Sequence, residues 1–202
     1  MKKLFIFFIV FVGVGLFLLR GYFWWQDNEL EIAEPDLVEK GDDVVVIDSF
    51  EDCLAAGNVV MESYPRQCRT ADGQHFVEEI GNELEKADLI QLDSPRPNGT
   101  ITSPLTIIGQ ARGYWFFEAT FPVILTDWDG RIIASHYAEA KDDWMTEEFV
   151  PFEVTLEFDS PVFEGVGKDH FSRRGSLILQ KDNPSGLPEH DDALEIPVWF
   201  EF

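Results

Sequence analysis

From Leu89 onward, apolar and polar residues alternate with a period of two, and they do so repeatedly. Trp115, Phe117, Ala119, Phe121, Val123 and Leu125 share one parity, with Glu118, Thr120 and Thr126 on the other. Phe152, Val154, Leu156 and Phe158 alternate with Glu153, Thr155 and Glu157, and Ile196, Val198, Phe200 and Phe202 alternate with Glu195, Pro197, Trp199 and Glu201. Successive side chains of a strand point to opposite faces, so each run predicts a half-buried strand. Further strands are expected at Ile90–Asp93, Leu105–Ala111, Ile132–Tyr137 and Ser176–Lys181, about seven in all. Turn residues separate them at Pro97-Asn98-Gly99, Asp127-Trp128-Asp129-Gly130, Gly165 to Gly167 and Asn183 to Gly186. Short strands without an amphipathic helix between them predict a mainly β fold, an immunoglobulin-like antiparallel β-sandwich over residues 89–202.

The N-terminal pattern is different. Lys2 and Lys3 precede an uncharged run from Leu4 to Leu19, and Arg20, Tyr22, Phe23, Trp24 and Trp25 follow it. A bilayer core asks for about 20 residues at helical rise, and a snorkelling Arg20 lets the tryptophans serve as the outer aromatic belt. Residues 1–25 are therefore expected to be a transmembrane signal anchor, with the lysines cytoplasmic and the body outside the cytoplasm. A cleaved signal peptide is the rival reading, but the run ends in Leu-Leu-Arg and bulky aromatics without the small residues a signal peptidase prefers. Residues 26–47 are acidic, contain Pro35 and Gly41 and keep no period, which predicts a stalk.

Residues 48–80 predict a small α+β unit. Ser49 with Asp52 resembles a capping box, Phe50 to Ala56 would be two helical turns, and Gly57 is placed to end them. Gln67 to Thr70 and Gln74 to Glu78 flank Asp72-Gly73, a two-residue hairpin signal. Residues 81–88 are a polar connector, helical in part. The cysteines, Cys53 and Cys68, are even in number and closely spaced, which in an oxidising compartment suggests one disulfide stapling helix to hairpin. Two free buried thiols are the alternative. A zinc site would need two further ligands, and the nearby histidine is His75 alone.

Charge narrows the partners. Removing Lys2, Lys3 and Arg20 from 15 basic residues leaves 12 against 38 acidic ones, a formal charge of −26 beyond the anchor. Nucleic acid is excluded as a partner, because binding it relies on neutralising phosphates with Lys and Arg. Solubility and repulsion between crowded surface proteins account for such acidity, and attraction of divalent cations or basic partners is the sharper reading.

The stretch from Ile101-Thr-Ser-Pro104 through Gly109-Gln-Ala-Arg-Gly113 to Phe121-Pro-Val123 carries a further signal, together with Asp143-Trp-Met145, Phe149-Val-Pro-Phe152, Lys181-Asp-Asn-Pro-Ser-Gly186 and Ile196-Pro-Val198. In this order the motifs resemble the bacterial spore germination immunoglobulin-like domain, the second domain associated with the GerMN module. The resemblance spans about residues 89–202 and implies an extracytoplasmic sandwich that mediates interactions, with no catalytic site to carry over. The segment from Cys53 to Gly73 resembles a short cysteine-paired module of bacterial envelope proteins.

Candidate sites follow from residue chemistry. Gly109, Gly113 and Gly130 are expected at turns or bulges with positive φ, and Pro104 and Pro122 at strand starts or edges. Trp115 and Phe117 are assigned to the core by parity. Tyr114 and Phe116, beside Trp128 or Trp144, would form an exposed aromatic platform for sugar rings or a protein partner, with packing under a loop as the alternative. Asp127, Asp129 and Gly130 superficially suggest a calcium loop, as do Asp182, Asn183, Glu189, Asp191 and Asp192. They lack the twelve-residue EF-hand pattern, so solvated acidic turns compete with calcium and no cofactor is expected. There is no nucleophile elbow, paired-histidine zinc motif or phosphate-cradling loop, and His75, His136, His170 and His190 are scattered. The chain is therefore expected to be no enzyme but a membrane-anchored envelope protein binding another envelope protein, or alternatively a module binding cell-wall or surface glycan.

Overall fold

The computed structural model describes residues 46–201. The expected anchor over 1–25 and the stalk up to Val45 lie outside the described residues. Among those described, no helix is long and apolar enough to cross a membrane.

Helix α1, Phe50–Ala55, forms where its cap is supplied locally. Ser49 Oγ accepts the Asp52 backbone N–H at 3.0 Å and donates to the Asp52 carboxylate at 2.6 Å, and Glu51 and Asp52 suit the positive end of the helix. Gly57, at φ +74°, ends it. A helix of six residues is marginal alone; this one buries Phe50 and Cys53 against Cys68, Ile47, Val60 and Phe76. Strands β1 (Val59–Met61), β2 (Gln67–Arg69) and β3 (His75–Val77) form a three-stranded antiparallel sheet in that order. The disulfide is present: Cys53 on α1 is bonded to Cys68 on β2, with Cα atoms 6.1 Å apart. The hairpin loop has three residues, since Thr70 N–H still bonds Gln74 O and Gly73 takes φ +92°.

Helix α2, Glu83–Lys86, occupies the connector and leads into a sheet of eight strands. These are β4 (Ile90–Ser94), β5 (Thr100–Ile101), β6 (Leu105–Arg112), β7 (Thr120–Asp127), β8 (Ile132–Ala140), β9 (Phe149–Leu156), β10 (Arg174–Gln180) and β11 (Ala193–Phe200). Their order is β4-β6-β9-β8-β7-β10-β11-β5. All ladders are antiparallel except the two-residue one between β11 and β5, which is parallel. The β8–β9 ladder is also short, with only Glu139↔Glu153 and Ala140↔Phe152 paired. The predicted alternation is realised in burial. Ile107 and Ala111 of β6, Phe121, Val123 and Leu125 of β7, Phe152 and Leu156 of β9, and Leu194, Ile196 and Phe200 of β11 are buried in one core.

Three expectations change. The run beginning at Trp115 does not start as a strand: Gly113–Trp115 is a 3-10 turn, so parity is lost there. Trp115 and Phe116 are both buried, and Phe117 is exposed. Gly109 and Gly113 do not have positive φ; they make room instead. A Cβ on Gly109 would lie 2.3 Å from Gln91 O, and one on Gly113 would lie 2.0 Å from Thr146 O. Gly130 does have positive φ, +75°. Strands β1 and β5 have no alternating signature of their own; pairing with β2 and β11 makes them strands.

Candidate functional site

The hairpin joining β7 to β8 is built around Asp127. Its Oδ1 accepts the backbone N–H groups of Asp129 and Arg131 at 3.0 Å each, and its Oδ2 accepts Arg131 Nε and Nη2, also at 3.0 Å. Burial pushes the Asp127 carboxyl up, but the backbone bonds from Arg131 and Asp129 and the Arg131 charge outweigh it, leaving it below the ordinary carboxylate range. Gly130 N–H closes the turn on Asp127 O at 3.0 Å. Trp128 is thereby held at the tip, 44 % exposed.

The chain between β9 and β10 brings two more rings to Trp128. Phe171 opens a 3-10 turn, Phe171–Arg173, and its ring lies 4.7 Å from Trp128. The Phe163 ring lies 6.4 Å from Trp128 and 5.8 Å from Phe171. The interplanar angles are 74° to 88°, the edge-to-face geometry aromatic quadrupoles favour. His170 tilts over Phe171 at 4.2 Å. Buried groups hold this loop from below. Ser172 Oγ accepts Phe163 N–H at 3.2 Å and donates to His170 Nδ1 at 2.9 Å, while the same Nδ1 accepts Ser172 N–H. Arg173 donates to Phe200 O at 2.9 Å and to Lys168 O at 2.6 Å. Phe163 and Phe171 are nonetheless 48 % and 47 % exposed. Exposed apolar rings on an anchored loop form a surface fit to receive an apolar group.

The expected platform is thus rearranged. Phe116 is buried and packs edge-on against Phe121 at 5.1 Å, because the 3-10 turn before it turns its ring inward. Trp144 is half-buried against the core, and Tyr114 is exposed on the 3-10 turn itself. Trp128 meets Phe163 and Phe171, which sequence reasoning missed. Their one signal was two phenylalanines in a turn-rich stretch with no strand to claim them.

Among the described residues, no three His, Cys, Asp or Glu side chains are grouped to hold a metal. Asp129 flanks the tip, while Asp127 is consumed by the hairpin. Asp191 accepts Asn183 Nδ2 at 2.7 Å, and Asp192 pairs with Lys86 at 2.5 Å. Burial, and then the nearby Glu118 charge, push the Asp182 carboxyl up.

Residues 89–168 match the Gmad2 family, the immunoglobulin-like domain of bacterial spore germination. The match runs from the start of β4 into the loop that bears Phe163, so the matched stretch includes Trp128 and Phe163, while His170, Phe171, β10 and β11 lie beyond it. No curated protein and no solved structure matches the chain. Residues 89–168 are thus similar to the Gmad2 immunoglobulin-like domain, in a chain whose described residues are mainly β and include a disulfide-bonded unit before that stretch.

Proposed function

We propose that this chain is an interaction protein of the bacterial envelope, anchored by residues 1–25 with the rest outside the cytoplasm, and that the Trp128–Phe163–Phe171 surface receives a protein partner. One observation carries the binding reading: three large rings stay about half exposed although Ser172 and Arg173 fix the loop beneath them. The perpendicular rings favour a protein over a sugar, since stacking on a sugar asks for a broad open ring face whereas these rings spend faces and edges on one another. The anchor rests on the sequence pattern of Lys2 to Trp25.

The scaffold is read as an immunoglobulin-like sandwich. In a flat sheet of eight strands the outermost two would stand roughly 30 Å apart, and helices of six and four residues could not cover one face. Yet Ile90 of β4 and Ile196 of β11 have no solvent exposure, and α2 packs against both strands. Closure of the sheet over itself at the short β8–β9 ladder accounts for this, and it leaves hairpin and loop together at one end.

The test is capture of purified envelope protein, and separately of bare cell-wall polymer, by the full chain and by its Trp128→Ala/Phe171→Ala variant. Loss of one specific envelope protein, with the melting temperature kept, is expected. Equal capture by both chains would refute the site, and specific loss of polymer binding would put glycan in the protein's place.

A further inference from the structure

Strand edges expose unpaired backbone groups and are usually short or covered. Strand β11 is covered in this way residue by residue, and β4 at one carbonyl. Along β11, Asn82 takes the Ala193 carbonyl and both backbone groups of Glu195 at 2.8 to 3.1 Å. Asn98 N–H takes Pro197 O at 2.8 Å, and Gly99 and Ile101 accept Trp199 and Glu201 N–H. Along β4, Arg96 caps Leu92 O at 2.6 Å. Strand β8 is treated differently. It pairs with β7 over its whole length, but with β9 only at Glu139 and Ala140. Among the described residues, nothing pairs with the backbone of Ile132–Ala138 on the side away from β7, apart from the His136 ring, whose Nδ1 donates to Tyr137 O at 3.1 Å.

The register says which groups point outward. Ala140 N–H bonds Ala119 O toward β7, and Lys141 N–H bonds Pro151 O toward β9. In an antiparallel ladder these directions alternate, so Ser135 and Tyr137 turn their N–H and C=O groups to the open side. Both residues are exposed, Tyr137 at 56 %. The open run is long enough for one added strand of ordinary length, about 5 to 6 residues.

We infer that this edge takes an extended, Lys- or Arg-bearing segment of a partner protein as an added strand of the sheet. This deepens the reading above and rests on it for the partner being a protein. Charge selects the occupant. Where β8 and β9 part, Glu139 and Glu153 are direct cross-strand partners, a like-charge pair that an added cation relieves. Lys141 reaches Glu153 at 3.4 Å, and among the described residues no hydrogen bond or ion pair reaches the Glu139 carboxylate. Asp129 lies at the other end of the edge, beside Trp128. With a body of formal charge −26, a second copy meets net repulsion that a cationic strand does not. The aromatic surface continues the edge, since Trp128 stands on the hairpin that begins β8. Backbone bonds then supply affinity, and the flanking carboxylates and rings supply specificity.

The test uses the full chain in neutral detergent and three eight-residue peptides: Thr/Val alternating with Lys behind a leading Trp, the same with Glu for Lys, and the Lys peptide N-methylated at alternate residues. Amide exchange is read at Ser135 and Tyr137. The Lys peptide should slow it by about tenfold or more, while the Glu and N-methylated peptides should not. Three results overturn the inference: equal binding of the N-methylated peptide, which would mean attraction by charge alone; no protection at these amides; or protection in the peptide-free chain. In the last case, dependence on protein concentration would identify a second copy and its absence would identify residues 1–45. Failure here with capture through Trp128 intact would sink the edge and spare the aromatic site; edge protection that survives Trp128→Ala/Phe171→Ala would do the reverse.

Discussion

Replacing Glu118-Ala119 by Asn-Gly should stabilise the eight-stranded sheet. Phe117 and Thr120 exchange both backbone bonds, at 2.9 and 3.1 Å, so Glu118 and Ala119 are the two central residues of a tight hairpin. Their φ values are +51° and +65°, the double left-handed geometry of a type I′ turn, which normally selects Asn-Gly. A side chain in that region costs roughly 1 kcal/mol or more per residue. Introducing glycine returns about 0.5–1 kcal/mol to the unfolded chain. Asn at position 118 also removes the charge that pushes up the Asp182 carboxyl after burial has done so. The balance is a gain of about 1 kcal/mol, or about 2–4 °C in melting temperature for a chain of this size. Thermal unfolding followed by circular dichroism, with a urea midpoint at unchanged slope, measures it. Ala119→Val, which forces a branched side chain into the same φ, should shift both midpoints down. An unmoved or lowered midpoint for Asn-Gly would refute the assigned turn geometry.

Removing the disulfide by Cys53→Ser/Cys68→Ser should cost about 3 kcal/mol for a loop of 15 residues. Trypsin should then cut at Arg66 and Arg69 before the eight-stranded sheet opens; simultaneous loss of both units would show that the small unit is no separate cooperative element. Two buried carboxylates should give opposite pH signatures. Bonds from Arg66 hold Glu78 below the ordinary range against burial, so its stabilisation is present above about pH 4.3 and is lost as pH falls through the lower folded value. Burial pushes Glu83 up despite Arg96 at 2.7 Å, so ionising it costs stability above its folded value, and acid relieves that cost. Melting curves from pH 3 to 7 should show Glu78→Gln weakest at neutral pH and converging on the parent in acid. Glu83→Gln should be at least as stable as the parent at neutral pH, and the same profile for both variants would refute the assignment.

Much of the architecture was legible because its causes are local. Alternation along β6, β9 and β11 marks strands whatever they pair with, Ser49 and Asp52 carry their own helix cap, and two closely spaced cysteines find each other inside one small unit. The ordered motifs between Ile101 and Phe152 likewise pointed to the family that matches.

What the tertiary structure decided is non-local. One 3-10 turn at Gly113 shifts parity, buries Phe116 and exposes Phe117. Gly109 and Gly113 are glycines because of Gln91 and Thr146, residues distant in sequence that approach them across strand and loop. Trp128 was visible as a candidate, but Phe163 and Phe171 join it only because Ser172 and Arg173 fold their loop back onto the hairpin. The open side of β8 could not be read from its residues at all, because an edge is defined by which strand fails to arrive. Sequence period and turn chemistry therefore determined which segments became strands, and the closing of loops over long separations determined which side chains and backbone groups were left exposed.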